Sequence, residues 1–211
     1  MAVTFYIVRH GETLLNSLNR AQGWSDSPLT DNGNNTAIEL GNKLKGTAFK
    51  AVFTSDTIRA IQTAELILSM SGNDNIKIQD DRRLREWCLG IMEGENNSIF
   101  VQTVSKWLGG VSSFAELNKR LADVASEIYH HDTTGMAEPF SDILKRLKSV
   151  FFDMAELYDD GGNILVVTHA FAIKTLFYLF SPEQLSTMDK VKNATIFKLE
   201  YNQGNFIFQH D

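Results

Sequence analysis

Cysteine is nearly missing from these 211 residues: Cys88 stands alone, so no disulfide can form within the chain. That usage fits a reducing compartment, and a cytoplasmic location is expected. Nothing in the sequence around Cys88 lowers a thiol pKa, so no nucleophilic role is assigned to it. Long apolar runs are missing too; none approaches the ~18 residues that a membrane-spanning helix needs. No stretch concentrates positive charge. The net charge is −6, and Lys43, Lys45, Arg82, Arg83 and Arg85 are diluted by acids. A nucleic-acid surface normally shows a basic patch or stripe, so neither nucleic acid nor a membrane is expected as a partner. A small anionic substrate is compatible with this charge, because a local cluster can be basic in an acidic protein. Low-complexity tracts, internal repeats and flexible linkers are also lacking. A strand-like run starts at residue 2 or 3, from which no signal peptide is expected. What remains is 43% hydrophobic and 22% charged, the balance of a globular protein with one sizeable core.

What is there is organised around Phe5-Tyr6-Ile7-Val8-Arg9-His10-Gly11-Glu12-Thr13. The run from Ala2 to Val8 is β-branched or aromatic and hardly alternates, which predicts a strand buried on both faces. Ligands of open α/β sheets sit just past the carboxyl ends of strands. Arg9 and His10 fall there, and Gly11 lets the backbone turn sharply. The arrangement recurs twice. Ala51-Val52-Phe53-Thr54 predicts a strand, with Ser55 or Asp56 capping a helix that carries Arg59 in its first turn. A cation there opposes the helix dipole unless an anion sits nearby. Ile164-Leu165-Val166-Val167 predicts another, running through Thr168 into His169. Two arginines and two histidines so arrive at three equivalent junctions, a set suited to a tetrahedral, multiply charged anion, of which phosphate is the common one.

Elsewhere, helices are expected over residues 30–45, 56–70, 139–159 and 170–180. Strands are expected over 50–54 and 76–78, and a closing hairpin over 195–201 and 205–208. Residues 14–30 are polar and read as a loop over the first strand's end; residues 84–97 are glycine-broken. Ile99–Trp107 and Phe114–Tyr129 then read as helices, with Phe114, Leu117, Leu121, Val124 and Ile128 at three-and-four spacing. This pair has no strand partner. Residues about 96–137 are therefore expected to form a helical cap inserted into a single α/β domain spanning 1–211. Its aromatics, Phe100, Trp107, Phe114 and Tyr129, read mainly as cap packing. His130 and His131 point different ways on a helix, so no metal site is expected there; His210, in the tail, is expected to be solvated.

Arg9-His10-Gly11-Glu12-Thr13 with Asn16 resembles the opening signature of the histidine phosphatase superfamily, in its phosphoglycerate mutase-like branch. The resemblance continues through Arg20-Ala21-Gln22-Gly23-Trp24-Ser25-Asp26-Ser27-Pro28-Leu29-Thr30 and Gly33. It reappears at Ser55 to Ala64 around Arg59, Leu84 to Gly94 around Glu86, Glu138 to Arg146, and Val166 to Ala170. Five ordered matches cover nearly the whole chain. The resemblance implies a three-layer α/β/α fold with a mostly parallel central sheet. It also implies cofactor-free, metal-free phosphoryl chemistry. Two positions depart from the family's pattern: Ala170 stands where a glycine is usual, and Cys88-Leu89-Gly90 replaces an aromatic-glycine pair after Glu86.

By position and by that resemblance, His10 is assigned as the nucleophile that takes the phosphoryl group. Arg9 and Arg59 should hold its ring neutral, and a backbone carbonyl such as that of Gly11 should fix its tautomer. Arg9, Arg59 and His169 would clamp the phosphoryl oxygens. The resemblance puts Asn16 near the phosphate, Gln22 and Gly23 among the substrate-binding residues, and Glu86 as the group that protonates the leaving oxygen and then activates water. The bland reading of Glu86 is a surface carboxylate paired with Arg83 or Arg85. Glu12 is expected to orient arginines. Three functions compete: a phosphomonoester hydrolase acting on a small phosphorylated metabolite, a phosphoglycerate mutase-type transferase, and a non-catalytic phospho-ligand module. The first is favoured here, because mutases of the family are longer. A homodimer is left open.

Overall fold

The computed structural model describes residues 2–110, 114–188 and 190–209, with the side chains of residues 114 and 115 left undescribed. The expectations for Phe114 and His210 therefore lie outside the described residues. Six strands form one sheet: β1 (Val3–Arg9), β2 (Phe49–Thr54), β3 (Ile78–Asp80), β4 (Gly162–Thr168), β5 (Ile196–Asn202) and β6 (Asn205–Phe208). Their spatial order is β3-β2-β4-β1-β5-β6. The first four run parallel; β5 is antiparallel to β1, and β6 closes a hairpin on it. The sheet is thus mostly parallel, as expected, and β1 lies inside it.

Alternation along the strands sorts their side chains onto two helical layers. Val3, Phe5, Ile7, Phe53, Ile164 and Val166 face one core with α7 (Phe140–Leu157) and α8 (Ala170–Phe180). Val8, Val52, Leu165 and Val167 face the other with α2 (Asp31–Lys43) and α3 (Ile58–Ser71). Both faces of the central strands are covered, which is why their sequences read as continuous apolar runs.

Several boundaries differ from the sequence reading for local reasons. The loop over 14–30 contains a helical turn, α1 (Leu14–Ser17), closed by a capping box in which the Thr13 hydroxyl accepts from the Asn16 amide and the Asn16 side chain accepts from the Thr13 amide. The helix expected at 56–70 starts at Ile58 with Thr57 at its cap position; neither Ser55 nor Asp56 caps it, because both side chains are engaged elsewhere. Ile58 and Leu157, apolar residues of α3 and α7, are exposed. The helix expected over 114–129 is two helices, α5 (Phe114–Lys119) and α6 (Leu121–His131), broken at Arg120 (φ −110°, ψ 31°). With α4 (Asn97–Trp107) they cover the strand-free stretch. Phe100, Val104, Leu117, Leu121, Val124 and Ile128 pack into the core that holds α7 and α8.

Candidate active site

β2, β4 and β1 are neighbours, and their registers (Thr54 with Val167, Arg9 with Thr168) end the three strands at one level. His10 continues the ladder by donating its amide to the Thr168 carbonyl at 3.0 Å. His169 leaves the next strand as the cap residue of α8. The two imidazoles meet edge to face, with ring centroids 5.1 Å apart. Gly11 is needed for close packing rather than for the turn, since its φ is not left-handed: a Cβ there would lie 2.6 Å from the Gly33 carbonyl oxygen, and backbone cannot yield as a side chain would.

Hydrogen bonding fixes both tautomers. His10 Nδ1 lies 2.8 Å from the Gly11 carbonyl, which can only accept, so Nδ1 carries the proton and Nε2 has a free lone pair. Arg59 Nη2 can only donate, so His169 Nδ1, 3.1 Å away, is bare. His169 Nε2 therefore donates to the Ser55 hydroxyl at 2.7 Å, and Ser55 bridges to Thr57. Burial, reinforced by Arg59 and Arg9, holds His10 well below the ordinary histidine pKa. Burial and Arg59 do the same to His169. Both rings are neutral at pH 7.

Arg59 is fully buried. The loop over residues 23–26 holds its guanidinium: Nη1 donates to the Ser25 carbonyl and the Asp26 carboxylate, and Nη2 donates to the Gly23 carbonyl. Asp26 also accepts the Ile58 amide at 2.6 Å, the first of α3. The anion that a cation at this helix start requires is thus supplied by the chain itself. Burial still lowers the pKa of Arg59, with Asp26 opposing. Burial brings Arg9 down to about 10, with Glu86 opposing. Arg9 donates to the Val191 carbonyl through Nη1. Among the described residues, the buried side-chain polar atoms without a partner are Nε of Arg9, Nε of Arg59 and the Thr54 hydroxyl. All three stand at this strand edge, and each orphan costs about 1–3 kcal/mol.

Glu86 is not a surface carboxylate. It is 3% exposed and pairs with neither Arg83, which bridges Asp81 and Asp153, nor Arg85, which bridges Asp56. Its oxygens accept the backbone amides of Trp87, Phe171 and Ala172, the last two at the start of α8. Burial pushes its pKa up, and those three amides oppose the rise. The Glu86 carbonyl is fixed by the Trp24 indole and by Arg146, whose guanidinium also grips Arg83, Arg85 and Glu138. Among the described residues Glu12 forms no ion pair with an arginine; it accepts from the Thr30 hydroxyl, the cap of α2. Burial raises the Cys88 thiol, the wrong direction for a nucleophile.

A cavity of about 600 Å³ opens above His10, within the usual range for small-ligand sites. Arg9, His10, Glu86, Asn16 and Gln22 line it. Arg59, His169 and Gly23 do not; they form the layer behind. Gly23 serves Arg59 through its carbonyl, and a Cβ at Gly23 would lie 2.3 Å from the Trp87 carbonyl oxygen. Of the cap aromatics, Phe100 lines the cavity, while Trp107 stacks on His131. Lining residues that sequence reasoning missed include Lys174, Lys190, Val191 and Asn193. Asn193 donates to the His10 carbonyl and to Asn16. It lies in a segment without periodicity, so no sequence signal marked it.

These features can be set beside known proteins. The family model of the histidine phosphatase superfamily, branch 1, matches residues 5–210. The chain belongs to the histidine phosphatase superfamily. It is an enzyme of that superfamily, and its α/β fold is the one seen in solved members. The crystal structure of a phosphoglycerate mutase from Bacillus anthracis is 37% identical and superposes with a TM-score of 0.91, covering 99% of this chain and 92% of that one. YhfR of Bacillus stearothermophilus is 29% identical with a TM-score of 0.75, covering 98% and 95%. An Escherichia fergusonii protein named "probable phosphoglycerate mutase GpmB" is 28% identical over 204 residues, covering 96% of this chain and 86% of that one. The expectation that mutases are longer does not separate the alternatives, since relatives bearing that name match over most of their length. Of the two departures from the superfamily's pattern, Ala170 lines the cavity and Leu89 stands on its wall, whereas Cys88 is buried behind. Among the described residues, no helix is long and apolar enough to cross a membrane, and no group of three or more His, Cys, Asp or Glu is placed to hold a metal.

Proposed function

We propose that this histidine phosphatase superfamily enzyme is a phosphomonoester hydrolase, acting through a phosphohistidine at His10 on a small phosphorylated metabolite. The observation that carries the reading is the state of His10: a neutral ring with its Nδ1 proton tied to Gly11 and its free Nε2, on the wall of an open cavity that also holds the Glu86 carboxyl. Attack by Nε2 on phosphorus forms the N–P bond and breaks the ester P–O bond. Glu86, in the protonated form that its burial favours, gives its proton to the departing oxygen. The resulting carboxylate then takes a proton from water as that water attacks phosphorus and frees His10. The orphaned Nε donor of Arg9, which lines the cavity, is suited to the phosphoryl oxygens, and meeting one would repay its desolvation; Arg59, in the layer behind, adds its positive charge. Hydrolysis is favoured over transfer because the cavity is rimmed by the exposed side chains of Asn19, Arg20, Ser98, Gln102 and Lys190, which leaves water a route to the intermediate.

Phosphoglycerate mutase-type transfer is the second reading, favoured by the names of relatives that match over most of their length. One assay separates the two. Phosphate release is measured over a panel of phosphometabolites in EDTA, beside phosphoglycerate isomerisation primed with 2,3-bisphosphoglycerate. We expect release that EDTA leaves intact and that outpaces isomerisation. Isomerisation faster than release would overturn the hydrolase reading, and activity lost in EDTA would overturn the metal-free mechanism.

A further inference from the structure

Lys174 is the buried one of three lining cations, with Arg20 and Lys190, that the chemistry above does not use. It lies in α8, where apolar neighbours surround it in Phe171-Ala172-Ile173-Lys174-Thr175-Leu176, and it is only 7% exposed. A lysine is almost never buried to that degree without a compensating charge. Among the described residues its ammonium meets no carboxylate: its Nζ donates at 2.6 Å to the neutral Asn118 side chain, which is held in turn by the Met188 carbonyl. Its Nζ also stands 5.6 Å from the centre of the Phe171 ring. Lys174 lines the same cavity as His10, and Lys190 lines it at the exposed rim. Burial brings Lys174 down to about 8, with the Glu86 charge opposing and Arg9 and Lys190 adding to the fall, so it is still largely charged at neutral pH.

Its place on the helix says what it can reach. The amides of Phe171 and Ala172 hold Glu86, and Lys174 is three residues beyond Phe171 on the same helical face, about 5–6 Å along. A leaving oxygen beside Glu86 would therefore carry its next substituents toward Lys174. We propose that Lys174, with Asn118 orienting it and Lys190 at the mouth, is a specificity-determining residue that reads a second anionic group, a carboxylate or second phosphate, on the leaving portion of the substrate, a few bonds from the ester oxygen. The assignment rests on the hydrolase reading of the same cavity. An ammonium held by a neutral amide has two further N–H donors to give, and a bound anion would supply the direct ion pair that Glu86, acting only through its field, does not.

The test compares kcat/KM for matched substrates. 3-Phosphoglycerate and glycerol 3-phosphate differ by a carboxylate against a hydroxymethyl group; fructose 1,6-bisphosphate and fructose 6-phosphate differ by a phosphate. Wild-type protein should prefer the more anionic member of at least one pair. Lys174→Met should shrink that preference by about 10- to 100-fold, the scale of a charge-assisted hydrogen bond, mainly through KM. Lys174→Arg should restore part of it. Whichever pair responds names the anion. A purely structural role would lower both members of each pair equally; an unchanged ratio in Lys174→Met, or no preference in the wild type, overturns the proposal. Should the wild type hydrolyse none of the four, nor p-nitrophenyl phosphate, the hydrolase reading falls instead. The subsite is then judged by calorimetric binding of the same four compounds, where Lys174→Met must weaken only the more anionic members or the proposal is lost.

Discussion

A His10→Ala variant should release phosphate from p-nitrophenyl phosphate on the order of 10⁵- to 10⁶-fold more slowly than wild type, the scale seen when a covalent nucleophile is removed. The residue cannot be replaced by its neighbour. His169 has its Nδ1 occupied by Arg59 and its Nε2–H given to Ser55, so no free lone pair faces substrate. It is also fully buried, behind the cavity wall. The variant should fold, because alanine removes a ring whose only hydrogen bond among the described residues is to the adjacent Gly11 carbonyl. A circular dichroism melt close to wild type, with the rate lost, is the expected pair of results. Residual activity within about tenfold of wild type would mean that another group attacks phosphorus.

Glu86→Gln should lower kcat by about 10³-fold on alkyl phosphates, within the range for a positioned general acid and base. The loss should depend on the leaving group. p-Nitrophenolate departs without a proton, so with p-nitrophenyl phosphate the first step should suffer little, whereas the second still lacks its base. A burst of nitrophenol followed by slow turnover is the signature to look for. The pH dependence follows from the directions of the two shifts. His10 must be neutral, and its pKa is depressed, so that requirement fails only as the pH drops well below the ordinary histidine value. Glu86 must be protonated in the free enzyme to serve as an acid, and its pKa is raised, so kcat/KM should fall as the pH climbs through that raised value. The alkaline limb for alkyl phosphates should vanish in Glu86→Gln. A limb that persists unchanged would assign the acid elsewhere.

How much of this was legible beforehand depends on how local the information is. The tips of β1 and β4 could be read directly: buried apolar runs end at Arg9-His10 and at Thr168-His169, and parallel sheets carry ligands beyond such ends. The Gly11 acceptor for His10 was legible too, since it is one residue away. What depends on distant segments was not. The start of α3 carries Ser and Asp, both good caps, yet Ser55 is taken by His169 and Asp56 by Arg85, and the anion for that helix comes from Asp26 in another loop. Glu93 gave no sign of its task either. Its carboxylate accepts the amides of Gly23, Trp24, Ser25 and Leu89, and so builds the loop whose carbonyls grip Arg59. Lys174 was hidden by its surroundings: in an apolar helical run, a lysine reads as a position that snorkels to water rather than one turned into a cavity.

The central claim is a bond from phosphorus to the free nitrogen of His10. It is tested most directly by quenching the Glu86→Gln variant during turnover of p-nitrophenyl phosphate, digesting it under alkaline conditions and mapping the phosphate by mass spectrometry. A phosphoryl group on Nε2 of His10, absent from the His10→Ala chain, is the predicted result. Phosphate on another residue, or turnover with no labelled histidine at any quench time, would contradict it.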